Sequence, residues 1–109
     1  MWEVYGTGLE MTEGDYGVSL PVRIGGATFD ADDSLIFTFK AASNGATVLE
    51  KEYEYADIND NVVLLSFTEE ETKNFEANRS YVYSLDWYRD DAFLCNIIRR
   101  GVLKVVYKA

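Results

Sequence analysis

The sequence contains no histidine and only one cysteine, Cys95, among its 109 residues. Histidine is the commonest general base and the commonest metal ligand, so its absence removes much catalytic and metal chemistry. A single cysteine excludes an intrachain disulfide and a cluster of thiolate ligands. Because Cys95 shares strand parity with Phe93 and Ile97, we expect a buried, unreactive thiol. We therefore expect a protein that is not an enzyme and that holds no cofactor and no metal.

Basic residues are scarce: ten Lys and Arg stand against 19 Asp and Glu, which gives a formal net charge of -9. This balance argues against nucleic acid and anionic membranes as partners, because phosphate binding needs a basic face. The charge is also uneven, since residues 1–60 carry a net charge of -9 and residues 61–109 a net charge of zero. Separate acidic and basic regions suit association with copies or neighbours in an assembly. The favoured interpretation, however, is a solvated surface with chance clustering.

Targeting and membrane-spanning segments are missing as well. Met1–Tyr5 offers neither the basic n-region nor the apolar h-region of a signal peptide. Apolar runs such as Val62–Leu65 are far shorter than the roughly 20 residues that span a bilayer. We therefore expect a chain that is kept in a cytoplasm and has no membrane partner.

Alternating apolar and polar residues predict short strands along most of the chain. The predicted strands cover residues 18–24, 35–40, 47–55, 62–67, 81–87, 93–97 and 103–107, with an eighth at 2–5. Pro21 cannot donate to a sheet ladder, so its strand is expected at an edge or with a bulge. Asn44–Gly45 and Arg89–Asp91 predict tight turns. Gly101 is expected to end one strand before the last begins.

One segment has a helical signature. Thr68 can cap a helix whose Glu71 reaches back to it, which predicts one or two helical turns over residues 69–75. Together with the strands, this predicts an all-β, antiparallel two-sheet sandwich in a single domain over residues 1–109. The expected core residues alternate along their strands and are Phe37, Phe39, Leu65, Tyr81, Tyr83, Leu85, Trp87 and Val105.

Five segments together resemble a known family. They are Leu35–Lys40, Asn44–Gly45, Thr68–Thr72, Tyr81–Trp87 and Gly101–Val105. In this order they resemble the immunoglobulin-like domain at the N-terminus of phage baseplate upper proteins and related small tail proteins, over about residues 15–107.

The resemblance implies an immunoglobulin-like antiparallel β-sandwich of seven to eight strands, in which Tyr81 would form a tyrosine corner. It also implies a non-catalytic structural subunit of a phage or prophage tail. The implied partners are other tail or baseplate proteins and further copies of the chain. The implied location is the virion tail, or the host bacterial cytoplasm during assembly.

Acidic segments offer candidate calcium ligands. Asp30, Asp32 and Asp33 could supply hard oxygen atoms from one loop, and Asp57 with Asp60 is a similar group. Both segments lack the glycine and the distal glutamate of an EF-hand loop, so solvated acidic loops are the favoured interpretation. Paired carboxylates are also typical of glycosidases, but nothing in the sequence sets two of them at a fixed separation.

Aromatic residues suggest an alternative function, the binding of carbohydrate or another ligand by ring stacking. The candidate platform residues are Trp2, Tyr5, Tyr16, Tyr53, Tyr55, Tyr88 and Tyr107. Packing in the core or at an interface is the other interpretation of the same residues. The sequence thus favours an assembly subunit, with a ligand-binding sandwich module as the alternative.

Overall fold

The computed structural model describes residues 2–5, 8–12, 14, 19–25 and 28–106 of the chain. Their strands are β1 (Trp2–Tyr5), β2 (Gly8–Thr12), β3 (Ser19–Arg23), β4 (Asp33–Ala41), β5 (Thr47–Glu54), β6 (Ile58–Asn59), β7 (Val62–Ser66), β8 (Arg79–Arg89) and β9 (Ala92–Val106). A 3-10 turn, Tyr55–Asp57, precedes β6, and a short helix, α1 (Glu69–Thr72), lies between β7 and β8. In this part of the chain no helix is long and apolar enough to cross a membrane.

The strands form two packed sheets. The large sheet has the order β1-β2-β9-β8-β4-β5, and the small sheet has the order β3-β7-β6. The run β9-β8-β4-β5 corresponds to strands G, F, C and C′ of a variable-type immunoglobulin domain, and β3-β7-β6 corresponds to B, E and D. The predicted immunoglobulin-like sandwich is therefore confirmed.

The N-terminal part of the sheet departs from the prediction. Strand β2 was not predicted, and it pairs with β9 in parallel, so the sandwich is not antiparallel throughout. A parallel pair joins segments far apart in sequence, and here Leu9 lies beside Leu103 and Met11 beside Val105. The alternation of Leu9 and Met11 with Glu10 and Thr12 is compatible with a strand, but only the tertiary structure shows that this strand pairs in parallel with β9.

Strand β3 confirms the reasoning about Pro21. It is an edge strand of the small sheet, and Pro21 lies opposite Leu64 of β7. The predicted first residue of this strand, Val18, lies outside the described residues, as does Tyr107 at the other end of the chain.

Gly101 does not end a strand, contrary to the prediction. It is buried within the continuous 15-residue strand β9 and lies directly opposite Tyr83. A Cβ at this position would overlap the Tyr83 ring, so only glycine leaves room for the ring. The glycine is therefore a packing residue, which sequence alone does not distinguish from a strand breaker.

The core lies between the sheets and is made of alternating inward side chains. Seven of the eight predicted core residues are buried, with relative exposures of 0–4%: Phe37, Phe39, Leu65, Tyr81, Tyr83, Leu85 and Val105. Trp87 is only half-buried, so its assignment to the centre is wrong. It lies near the end of the β8–β9 hairpin, where its ring packs on Phe29 at a centroid distance of 4.7 Å.

The connection from β7 to β8 follows the sequence signals closely. Thr68 and Glu71 form the predicted capping box at the start of α1. The helix ends at Thr72 rather than near residue 75, because the following turn uses bonds to the carbonyl three residues back, such as Phe75 N–H to Thr72. The backbone N–H of Glu76 then donates to the Tyr81 hydroxyl at 2.7 Å, which confirms the tyrosine corner.

Candidate functional site

The calcium candidates do not form a cation site. Both oxygens of Asp33 are engaged by Arg89, with Nε to Oδ1 at 2.7 Å and Nη2 to Oδ2 at 3.1 Å, and the Asp30 N–H donates to Oδ2 at 2.7 Å. Asp32 is exposed, and its backbone carbonyl accepts from the N–H of Asp90. Among the described residues no group of three or more potential ligands could hold a metal ion.

Asp33 instead anchors the end of the β8–β9 hairpin. Its side chain is fully buried, whereas that of Arg89 is 38% exposed. The Arg89 hydrogen bond is the main reason why the pKa of Asp33 falls from 3.8 to about 2, against the opposing effect of burial. The nearby Trp87 indole N–H also lowers this pKa, although it makes no well-aligned hydrogen bond within the described chain.

The hairpin turn itself is the predicted tight turn. Asp90 and Asp91 have φ angles of 53° and 60°, the left-handed conformations of a two-residue hairpin loop. Because Arg89 and Asp90 are both tied to the start of β4, the end of the hairpin is held rigidly against the neighbouring strand.

The second acidic candidate also has a local structural role. The Asp57 carboxylate accepts from the Glu54 N–H at 2.9 Å and so closes the 3-10 turn. Asp60 and Asn61 have φ angles of 51° and 61° and form the turn between β6 and β7. Both acidic residues are thus explained by turn formation.

The carbohydrate platform, the alternative interpretation of the aromatic residues, does not assemble from those that the structure describes. Tyr53 points inward, with its ring 5.8 Å from that of Phe37, whereas Tyr55 is 44% exposed at the 3-10 turn. Tyr88 meets Phe93 edge to face at 5.7 Å. Of the other candidates, Tyr16 and Tyr107 and the side chains of Trp2 and Tyr5 lie outside the described residues.

Cys95 is half-buried rather than buried, so that prediction is wrong. It lies opposite Trp87 in a stretch where the pairing of β8 with β9 shifts register three times. The shift between the pairs Trp87–Cys95 and Tyr88–Phe93 puts Phe93 and Cys95 on different faces, so the parity of Cys95 with Phe93 does not persist.

Lys51 is an inward-facing charge that sequence analysis missed. Its ammonium group lies 2.9 Å from the Glu71 carboxylate and also donates to the backbone carbonyl of Ser66. Burial disfavours the charge on Glu71, but hydrogen bonds from Lys51 and Thr68 outweigh it and hold the pKa of Glu71 below its ordinary value. This lysine ties edge strand β5 to the small sheet, and an inward charge on an edge strand opposes strand addition.

The solvent-facing side of β5, β4, β8 and β9, called here the outer face, carries several charged side chains. Glu50, Glu52 and Glu54 are exposed and alternate with the inward residues of β5. Alternate residues of a strand lie about 7 Å apart, so these three carboxylates form a row, the acidic stripe.

A basic pocket lies two strands away on the same face. Lys40, Arg99 and Arg100 surround a cavity of about 350 Å³ whose wall includes Thr38 and Ser84. Two successive arginines can reach this pocket because β9 shifts register opposite Ser84, between the pairs Tyr83–Gly101 and Leu85–Ile98. In the described part of the chain none of the three cationic side chains has an ion-pair partner.

Exposed apolar side chains lie on the same outer face. Phe93 is 58% exposed and lies opposite Tyr88, and Val102 is 48% exposed and lies opposite Val82. The outer face thus combines an acidic stripe, a basic pocket and two exposed apolar residues on a rigid sheet.

A comparison of the chain with protein-family models, with curated proteins and with solved structures finds no match. The resemblance to phage baseplate proteins stays a prediction.

Proposed function

We propose that the chain is a non-catalytic assembly subunit of a phage or prophage tail, associated with the baseplate, and that it works through protein–protein contacts. The resemblance described above is one support. The observation that carries the proposal is the outer face, where the basic pocket, whose cations have no ion-pair partners in the described chain, shares one surface with exposed Phe93 and Val102. Aromatic and arginine side chains together are typical of protein interfaces.

The rigidity of this face favours the same function. Strand β8 is hydrogen-bonded on both sides, by β4 and β9, and the Asp33–Arg89 pair fixes the end of the hairpin beside Phe93. A surface that is already ordered loses little conformational entropy when a partner binds. Such a surface suits a building block of a particle.

The proposal is tested by measuring binding between the purified chain and the tail proteins encoded beside it, together with its self-association, at micromolar concentrations. We expect a Phe93→Thr variant to weaken the contact at least about tenfold, as for an aromatic residue at an interface centre. Leu64→Thr is the matched control, because Leu64 is 54% exposed but lies on β7 of the small sheet.

Two results would overturn the proposal. One is a chain that neither self-associates nor binds any neighbouring tail protein at these concentrations. The other is a chain whose gene is flanked by no tail, baseplate, holin or lysin gene and whose binding is affected equally by the Phe93 and Leu64 substitutions.

A further inference from the structure

One end of the acidic stripe, Glu50, and the basic pocket occupy matching positions on the outer face. Glu50 pairs with Thr38 on β4, and Thr38 pairs with Ser84 on β8. Arg99 and Arg100 lie on β9 opposite Ser84. A carboxylate at one side of the four-strand surface and two guanidinium groups at the other therefore share one cross-strand row.

We propose that this face binds a second copy of the chain, with Glu50, at the end of the acidic stripe of each copy, seated on the basic pocket of the other. The inference rests on the proposed function, and it names the second copy as the partner of that face. Both halves of the contact are on one surface, so the interface is isologous and closes as a dimer with two-fold symmetry.

The strand order makes the two-fold arrangement geometrically simple. The four strands run in the order β9-β8-β4-β5, and the midline of this order lies between β8 and β4. In the dimer, a two-fold axis lies between the two outer faces and runs parallel to the strands along that midline. Rotation about this axis places β5 of one copy over β9 of the other. Rotation about an axis parallel to the strands preserves position along them, so Glu50 of each copy lies over Arg99 and Arg100 of the other.

The size of the face predicts a weak dimer. Four strands about 4.8 Å apart and about eight residues long cover roughly 500 Å² per copy, or about 1,000 Å² in total. This area is near the lower limit for a specific interface, and we expect a dissociation constant of about 100 μM. Local charge pairing must also act against the net charge of -9 on each copy.

The full chain is examined by sedimentation velocity between about 5 and 500 μM, a range set around that expected constant. Arg100→Glu places a carboxylate opposite the stripe, and Glu50→Lys places an ammonium opposite the pocket. Each change is expected to weaken self-association about tenfold or more, because like charges then face each other. An equimolar mixture of the two variants is expected to recover much of the lost association, because in the mixed dimer one contact keeps the native Glu50 over Arg99 and Arg100 and the other sets the introduced ammonium over the introduced carboxylate.

The matched controls are Lys73→Glu and Glu69→Lys, which change the net charge equally but lie on or next to α1. They are expected to leave the dissociation constant within about twofold, since they lie off the contact face. A chain that stays monomeric throughout the concentration range overturns the inference, as do controls that act as strongly as the face variants. Failure of the mixture to recover association also overturns it. So does a monomeric chain whose pocket binds inorganic sulfate, which would identify the pocket as a site for a free anion.

These results separate the inference from the proposed function. If self-association is absent but a neighbouring tail protein binds in a manner sensitive to Phe93→Thr, the second copy is the wrong partner and the assembly function stands. If neither contact forms, both are wrong.

Discussion

The ion pair between Asp33 and Arg89 gives the most quantitative prediction. Asp33→Asn removes the carboxylate charge and replaces one carboxylate oxygen with an amide NH2 group. This group cannot accept the hydrogen bonds that Arg89 and the Asp30 N–H donate to Asp33. The depression of the Asp33 pKa from 3.8 to about 2 means that its charge stabilises the folded state. This stabilisation is about 1–2 kcal/mol once solvent screening at the 38%-exposed Arg89 is allowed for. The lost acceptor adds about 1 kcal/mol. We expect a total cost of about 2–3 kcal/mol at pH 7.

The same pair predicts how stability changes with pH. Because the folded-state pKa of Asp33 is depressed, its contribution is present above the unfolded value of 3.8 and is lost as the pH falls towards 2. At about pH 2.5 roughly a third of the charge contribution remains. The difference in unfolding free energy between wild type and Asp33→Asn is therefore expected to narrow by about 1 kcal/mol between pH 7 and pH 2.5.

Urea unfolding followed by circular dichroism at both pH values measures these differences. At pH 7 the expected cost lowers the midpoint by about 1.5–2 M urea. Asp30→Asn is the matched control, because Asp30 lies in the same loop but its side chain is 65% exposed and 3.5 Å from Arg89. Its cost is expected to stay below about 1 kcal/mol. Equal effects of the two substitutions, or a wild-type advantage that does not shrink in acid, would refute the reasoning.

Three further substitutions test the packing and the connection from β7 to β8. Gly101→Ala is expected to lower the unfolding free energy by about 1–3 kcal/mol, because the added methyl group overlaps the Tyr83 ring. The cost should be smaller in a Tyr83→Leu background, which a double-mutant cycle of unfolding free energies measures. Additive costs would contradict the overlap. Tyr81→Phe leaves the Glu76 N–H without its acceptor and is expected to lower the unfolding free energy by about 1–3 kcal/mol, whereas no change in thermal midpoint would count against the tyrosine corner. Thr68→Ala removes the helix cap and is expected to cost about 1 kcal/mol in urea unfolding, and Thr68→Ser, which keeps the hydroxyl, should cost much less.

The candidate site shows where sequence reasoning stops. The uneven charge was visible in the sequence and was compatible with an association surface, but the row that joins Glu50 to Arg99 and Arg100 was not visible. That row depends on the pairing of β5, β4, β8 and β9 and on a register shift within β9. Register shifts have no sequence marker here, so the parity argument also failed for Cys95.

The calcium candidates illustrate the same limit. Acidic residues on a loop indicate possible ligands, but whether they are free depends on distant cations. Asp33 and Arg89 are 56 residues apart in the chain and meet only because β4 and β8 are neighbours. An ion pair of this kind cannot be inferred from spacing.

The sequence by itself determined the features that arise from local chemistry. Period-two alternation specified most strands, Pro21 specified an edge, left-handed turn residues specified the β8–β9 hairpin, and the Thr68–Glu71 capping box specified the helix start. Each depends on residues within a few positions of one another, whose steric and hydrogen-bonding preferences act before any tertiary contact forms.

Tertiary structure alone decided the rest. The parallel pairing of β2 with β9, the role of Gly101 beneath Tyr83, the partners of Asp33 and Lys51, and the arrangement of charges on the outer face all join segments far apart in the chain. Their residues have no fixed relation until the two sheets set strand order and register. Long-range order is created by burying the apolar faces together, and it is this burial that places the charges of the outer face.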